Sequence, residues 1–478
     1  MQDVIIIGGG VIGCTIAREL SRYQLKVCVL EAGSDVASQT SKANSAIVHA
    51  GYDATPGSLM ARFNVAGNAR FDAWCDELDV PLVRCGSLVL AFDAADMEEV
   101  NRLYDRGVAN GVPGMRILNR DEVLAMEPAL NPEVVGALYA ATGGITCPYE
   151  LTIAAAENAV MNGAEVKLNW KVEALSQRDG LWTVSGPAGE MQARYVINAA
   201  GLFADEISAL AGAEAFTVKP RKGEYMLLDR NSAGLVSTVI FQTPSKMGKG
   251  ILVSPTVDGN LFVGPTAMDV SDKTDTATTE AGIEELTRLS RRSVPEVNLR
   301  SVITSFAGVR AVAGSDFIIG WSQQVPRLLN LGGICSPGLT SAPAIAEHIP
   351  NLLRQAGEPL RAKADFNPRR AHIARFRTMT TAERRKAIAS NPAYGRIICR
   401  CETVTEAEIV QAMHRPVPAL TLDAIKRRTR AGMGRCQGGF CSPRVMELLC
   451  RETGQTMEQL TKFGGGSYIV CGKVKEGK

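Results

Sequence analysis

An α/β fold is what this 478-residue sequence predicts, with strand–loop–helix units in its body and a separate small helical module at its end. Two observations carry that expectation. A short β-branched run, "VIII" at 4–7, leads straight into the glycine-rich "GGGVIG" and then a helical pattern over 12–22. Far downstream, "CRC" at 399–401 and "GRCQGGFC" at 434–441 bracket two short amphipathic segments. Composition sets the frame. Apolar residues at 46% supply core for two or three domains, and a net charge of +2 gives no strong pull toward nucleic acid. No apolar run reaches 18 residues, which argues against a transmembrane helix. The N-terminal apolar stretch lacks the basic start and cleavage site of a signal peptide. The twelve cysteines are scattered irregularly, as suits a reducing, cytoplasmic setting.

The first unit is a dinucleotide site. Gly8, Gly10 and Gly13 keep the G-x-G-x-x-G spacing. Gly8 makes the tight turn, Gly10 lets the backbone approach a pyrophosphate, and Gly13 lets helix pack on strand. The helix N-terminus then faces the phosphates. A second strand, "KVCVLEAG", ends in Glu31, 23 residues after Gly8, where a carboxylate can bond a ribose hydroxyl pair. A glycine triplet alone also fits a plain strand–helix turn; the strand, helix and acid together favour the nucleotide. NAD and FAD both remain open here. Residues 194–206, "RYVINAAGLFADE", read as a later buried strand ending at Ala200 and Gly201, able to return beside the first. Residues 328–349 again read strand, loop, helix, with Gly338, Leu339 and Thr340 at the helix start. By itself that segment is an ordinary connection. No second glycine fingerprint follows a strand, and the three segments together favour FAD.

The segments "TSKANSAIVHAGYDATPGSLMARFNVAGN" (40–68), "PRKGEYMLLD" (220–229), "GKGILVSPTVDGNLFVGPTA" (248–267), "SFAGVRAV" (305–312) and "SPGLTSAPAIA" (336–346) carry a resemblance. They resemble the D-amino-acid-oxidase-like family of FAD oxidoreductases. Within it they are similar to the glycerol-3-phosphate dehydrogenases and oxidases of the soluble bacterial type and to L-2-hydroxyglutarate oxidases. The resemblance spans about the first 360 residues. It implies a Rossmann-like FAD domain (about 1–75, 145–215 and 305–362) with an inserted antiparallel-sheet substrate domain (about 76–144 and 216–304).

The family reaction passes a hydride from a secondary alcohol or amine to the flavin while a base takes the proton. His49 stands alone among histidines in the first 340 residues. Its plain reading is a core histidine; the resemblance implies that it faces substrate, with proton transfer as a hypothesis. Arg310, after a helical or loop stretch, is implied to hold the substrate anion, carboxylate and phosphate serving alike. Lys249 reads as a solvated loop charge, yet the resemblance places it on the inserted sheet as a second cation for phosphate. Ser336 supplies a hydroxyl nearby. Thr40, Ser41, Asn44 and Ser45 suit a loop that wraps the flavin. Arg221 and Lys222 read as supporting or surface charges.

Past residue 362 the chain turns basic, "FNPRRAHIARFRTMTTAERRKAIASNPAYGR", and reads as a linker (363–395) with one or two helices and a solvated charge run. In 396–455, Cys399 and Cys401 are followed after 34 residues by Cys436 and then Cys441. Four thiolates from two loops make an all-sulfur site for an iron–sulfur cluster or zinc, and the glycines leave backbone N–H groups for the sulfurs. The spacing resembles the bacterioferritin-associated-ferredoxin-like [2Fe–2S] module, found fused to anaerobic-type glycerol-3-phosphate dehydrogenases. Cys450 and Cys471 fall outside the pattern, as a helix packing residue and a position in the 456–478 tail. With no second nucleotide site in view, the expectation is a dehydrogenase whose electrons leave one at a time through the cluster. In relatives the partner is an NADH-linked flavoprotein with a small cysteine-containing subunit, or a membrane subunit contacted peripherally. The rivals are a 2-hydroxy-acid dehydrogenase, an imino-acid dehydrogenase of the hydroxyproline type, an oxidase, and a non-catalytic metal-binding assembly subunit.

Overall fold

The computed structural model describes residues 1–244 and 250–472. Its first sheet is centred on the strand Gln2–Ile7, which is buried and β-branched as its sequence requires. It pairs in parallel with Val27–Leu30 on one side (Val4 opposite Val27) and with Gly189–Asn198 on the other (Val4 opposite Tyr195). The late strand therefore does return beside the first. Leu328–Gly332 adds in parallel to Gly189–Asn198, and Glu165–Lys167 to Val27–Leu30. The helices Val11–Leu20, Pro148–Met161 and Gly338–Gln355 share one apolar core with this sheet through Ile16, Leu151, Ile153 and Ile345.

Among the described residues, a second sheet of nine strands is largely antiparallel, with Val239–Gln242 parallel to Ser87–Ala91. Its longest pairing joins Lys219–Leu228 to Val302–Val312, Arg221 lying opposite Arg310. Residues 305–312, expected on the FAD side, thus run in the second sheet. The stretch before Arg310, expected to be helix or loop, is instead the first part of the Val302–Val312 strand that carries Arg310 itself. Of the two readings for Lys222, a supporting or a surface charge, the structure shows the supporting one. It is buried, and its Nζ donates to Asp275 at 2.7 Å and to the Ala277 carbonyl at 3.0 Å. Arg221 is a surface charge, paired with Asp269.

The C-terminal unit packs the helices Glu406–Met413, Leu422–Thr429 and Ser442–Thr453 round Ile409, Ile425 and Leu449. Leu460 joins this core, and Asp423 N–H bonds the Lys462 carbonyl, so the start of the tail belongs to the unit. The basic run before it contains the helix Thr381–Ser390, but its charges are not all solvated. Arg370 Nε reaches the buried Glu157 at 2.7 Å, and Arg375 Nη2 reaches Glu150 at 2.5 Å. No described helix is long and apolar enough to cross a membrane.

Candidate active site and thiol cluster

The nucleotide end is built by close approach. Gly8 has φ +113°, and a Cβ there would come 2.4 Å from the Ala199 carbonyl oxygen at the end of the neighbouring strand. A Cβ on Gly13 would come 2.0 Å from the Gly8 carbonyl oxygen. Only glycines let the loop, helix and strand close this way. Glu31 leaves its strand and accepts from the Gly9 and Gly33 backbone N–H groups, both at 2.7 Å. Burial pushes its carboxyl above the ordinary value, against those two donors. Ser41 Oγ accepts from Val11 N–H at 2.9 Å, at the start of the helix expected to face phosphate.

The loop 40–46 lies against the second sheet. Thr40 Oγ1 donates to the Val309 carbonyl at 2.7 Å, and a Cβ on Gly308 would collide with the Ala43 carbonyl. Asn44 Nδ2 donates to the Thr40 and Ser41 carbonyls and its Oδ1 accepts from Ala46 N–H, which holds the loop's shape. Ser45 Oγ is 3.3 Å from the Tyr225 hydroxyl, and Tyr225 stacks on Phe306. Tyr225, Phe306 and Phe241 are partners that sequence reading missed; an apolar strand residue gives no sign of which loop it will face.

His49 follows this loop. Its backbone N–H donates to Thr340 Oγ1 at 2.9 Å, and Asn64 and Asn68 donate to its carbonyl. Its Nε2 is 3.3 Å from Ser336 Oγ, and its ring is 5.9 Å from that of Phe241 in the second sheet. The structure thus brings His49, Ser336 and Thr340 together where the two sheets meet. Arg310 stands on the second sheet: Nη2 donates to the Thr266 carbonyl at 2.7 Å, while its buried Nε has no hydrogen-bond partner. Half of the guanidinium fork is anchored and a buried donor is left over, as an anion-holding arginine requires. Lys249 lies outside the described residues. Gly338, Leu339 and Thr340 open a helix with no side-chain cap and no acid in its first turn. That helix start, the Gly8–Gly13 cradle and the pinned Glu31 fit a bound dinucleotide.

A cavity of about 930 Å³ lies between loop 40–46 and the C-terminal unit. Thr40, Ala43 and Asn44 line one wall, Cys441 and Gly438 another.

The four thiols stand as two pairs. Cys401 Sγ is 3.7 Å from Cys436 Sγ, and the Cys441 thiol hydrogen-bonds Cys399. A tetrahedral metal with metal–sulfur bonds of about 2.3 Å would set two thiolates about 3.8 Å apart. The Cys401–Cys436 separation fits two thiolates on one shared metal. The bond from Cys441 brings Cys399 down to about 6, helped by the Gly432 and Glu402 backbone N–H groups. The Phe440 N–H holds Cys436 below its ordinary value. No disulfide forms among the described residues. Nor do three His, Cys, Asp or Glu side chains among them gather tightly enough to grip one ion. Two pairs suit a two-iron cluster better than a single zinc, which needs all four at once.

Comparison with known proteins agrees with this geometry. The family model for FAD dependent oxidoreductases matches residues 3–352. The chain belongs to that family, and FAD is its cofactor. The model for the BFD-like [2Fe-2S] binding domain matches residues 397–451. The chain is 48% identical over 476 residues to a glycerol 3-phosphate dehydrogenase of Caloramator mitchellensis, covering 99% of each chain. It is 29% identical to an L-2-hydroxyglutarate dehydrogenase of Escherichia coli K12, covering 73% of this chain and 92% of that one. Among solved structures it is similar to the FAD-bound, dithionite-reduced L-alpha-glycerophosphate oxidase of Mycoplasma pneumoniae. The TM-score is 0.73 at 34% identity, covering 77% of this chain and 98% of that one.

Proposed function

We propose that the chain is a cytoplasmic dehydrogenase that oxidises glycerol 3-phosphate to dihydroxyacetone phosphate and sends the electrons through its cluster domain to a partner redox protein. The observation that carries this is the end-to-end likeness to the Caloramator mitchellensis glycerol 3-phosphate dehydrogenase, which spans the C-terminal unit as well as the flavin half. We assign residues 1–362 to the flavin chemistry and 396–455 to the cluster.

FAD, when bound, supplies the hydride acceptor. Gly8, Gly10, Gly13 and Glu31 hold its nucleotide half; Thr40, Ser41, Asn44, Ser45, Ala200, Gly201, Gly338, Leu339 and Thr340 line the rest. The His49 imidazole takes the carbinol proton on Nε2, the atom that Ser336 Oγ already faces. The carbinol C–H bond breaks as the C=O bond forms. Arg310 holds the phosphate through the donors that Thr266 leaves over. Lys249 is assigned as the second cation for the dianion, on the resemblance. Cys399, Cys401, Cys436 and Cys441 would hold a [2Fe–2S] cluster, which would supply a one-electron carrier.

An anaerobic titration with glycerol 3-phosphate, following flavin and cluster absorbance together, tests the reading. Both bands should bleach. If the flavin bleaches only with L-2-hydroxyglutarate, the hydroxy-acid reading favoured by the Escherichia coli relative replaces this one. Flavin bleaching without any cluster band would remove the electron route.

A further inference from the structure

Phe440 is 85% exposed, more than any other large apolar side chain among the described residues. It sits between two of the four cluster thiols, and its backbone N–H bonds Cys436. The thiols themselves have two sides. Cys399 and Cys441 are buried, and Cys441 lines the cavity that loop 40–46 also lines. Cys401 is exposed and Cys436 half-buried. One pair is therefore buried, with Cys441 on the cavity that loop 40–46 shares, and the other lies toward the surface beside Phe440.

The rim of that surface is cationic. Arg400, between Cys399 and Cys401, is exposed and makes no ion pair among the described residues. Arg435 precedes Cys436 and keeps 69% of its side chain exposed while bonding Asp229. Arg444 lies in the first turn of the Ser442–Thr453 helix, which has no acid there to offset the positive helix end. Glu447, paired with Arg444, is the acid facing it. An exposed aromatic centre inside an arginine rim is the composition of a protein interface, and the charge selects an acidic face.

We propose that Phe440 with Arg400, Arg435 and Arg444 is the docking surface for an acidic one-electron acceptor protein, and that electrons leave over the Cys401–Cys436 edge. The inference rests on the electron route proposed above. Each alcohol oxidised to a ketone yields two electrons and two protons. Two acceptor molecules take one electron each, and the protons go to water.

Cytochrome b5, an acidic one-electron protein, is the probe. Its affinity for the full-length, cluster-loaded protein is measured by calorimetry without substrate, and its reduction rate with glycerol 3-phosphate. Phe440→Ala and Arg400→Glu should each weaken binding by about 30-fold, the scale of a hot-spot residue. Binding should also weaken steeply with salt. Iron content and reduction of the small dye dichlorophenolindophenol should stay at the unchanged protein's level. Undiminished cytochrome b5 affinity in both variants, or no binding by the unchanged protein at low salt, overturns the docking surface. Loss of dye reduction with glycerol 3-phosphate in the unchanged protein instead sinks the substrate reading, while the calorimetry still judges the surface.

Discussion

Asp35 joins the two halves of the molecule, and removing its charge should loosen the cluster unit without touching the flavin fold. The carboxylate is buried just past Glu31. It accepts from Arg427 Nη2 at 2.6 Å and from Arg428 Nη1 and Nη2 at 2.8 and 2.9 Å, both on the Leu422–Thr429 helix. The two guanidiniums retain only 6% and 2% side-chain exposure. Asp35→Asn keeps the shape but takes from Arg427 and Arg428 the carboxylate they share, with Glu157 left as a charge acting on Arg428. Breaking a buried pair this way costs about 3–5 kcal/mol, and the retained amide oxygen argues for the lower end. Some 3 kcal/mol is about 150-fold in the docking equilibrium. Hydrogen exchange reads it locally: amides 425–429 should lose protection by about that factor while those of 5–7 stay unchanged. Loss of less than threefold would refute the reasoning. The pH dependence has a sign. Burial pushes Asp35 up, but Arg428 and Arg427 hold it below its ordinary 3.8. The pair therefore stabilises fully above about pH 4 and is lost as pH falls through the lower folded value.

Four further outcomes follow from the site. His49→Gln should slow flavin reduction by about 10²- to 10⁴-fold in stopped flow, with little change in KM, if the imidazole takes the proton. Arg310→Lys gives up the planar fork and should raise the KM for glycerol 3-phosphate by about 10- to 150-fold, the range of a charged hydrogen bond. Gly13→Ala places a methyl 2.0 Å from the Gly8 carbonyl oxygen, so the purified protein should carry little FAD by its absorbance ratio. Cys401→Ser should lower the iron content per chain while FAD content holds, because the thiols lie outside the nucleotide cradle.

What the sequence made legible was local. The strand, glycine loop and helix at 2–20 are contiguous, and each residue's role follows from spacing alone. The C-x-C and C-x4-C loops are equally short-range, and their division into two pairs became visible only with Cys401 against Cys436 and Cys399 against Cys441. The stretch before Arg310 was not legible as strand, because "SFAGVRAV" is too rich in small residues to declare one. Sequence left Lys222 open between a supporting and a surface charge, because its partners, Asp275 and Ala277, lie more than fifty residues away. The long-range pairs have no sequence signature at all.

Those pairs matter most where the cluster unit meets the body. Asp258, on the second sheet's Thr256–Asn260 turn, accepts from Arg430 Nη1 at 2.6 Å and from Arg377. Glu402, next to Cys401, accepts from Arg430 Nε at 2.8 Å and from Arg230 Nη2 at 2.5 Å. Burial alone would pull Arg430 down, yet Asp258 and Glu402 hold it above its ordinary value. Apolar contacts of equal area would stabilise as well and would tolerate sliding; buried ion pairs with fixed forks do not. Arg430 lies two residues before Gly432, whose N–H bonds Cys399, and Glu402 follows Cys401 directly. The ion pairs that seat the unit are thus built from the same loops that carry the thiols. Seating the domain and placing Cys441 at the cavity beside loop 40–46 are one structural act, so a single carboxylate change at Asp35 or Asp258 should alter the proposed electron delivery before it alters flavin reduction.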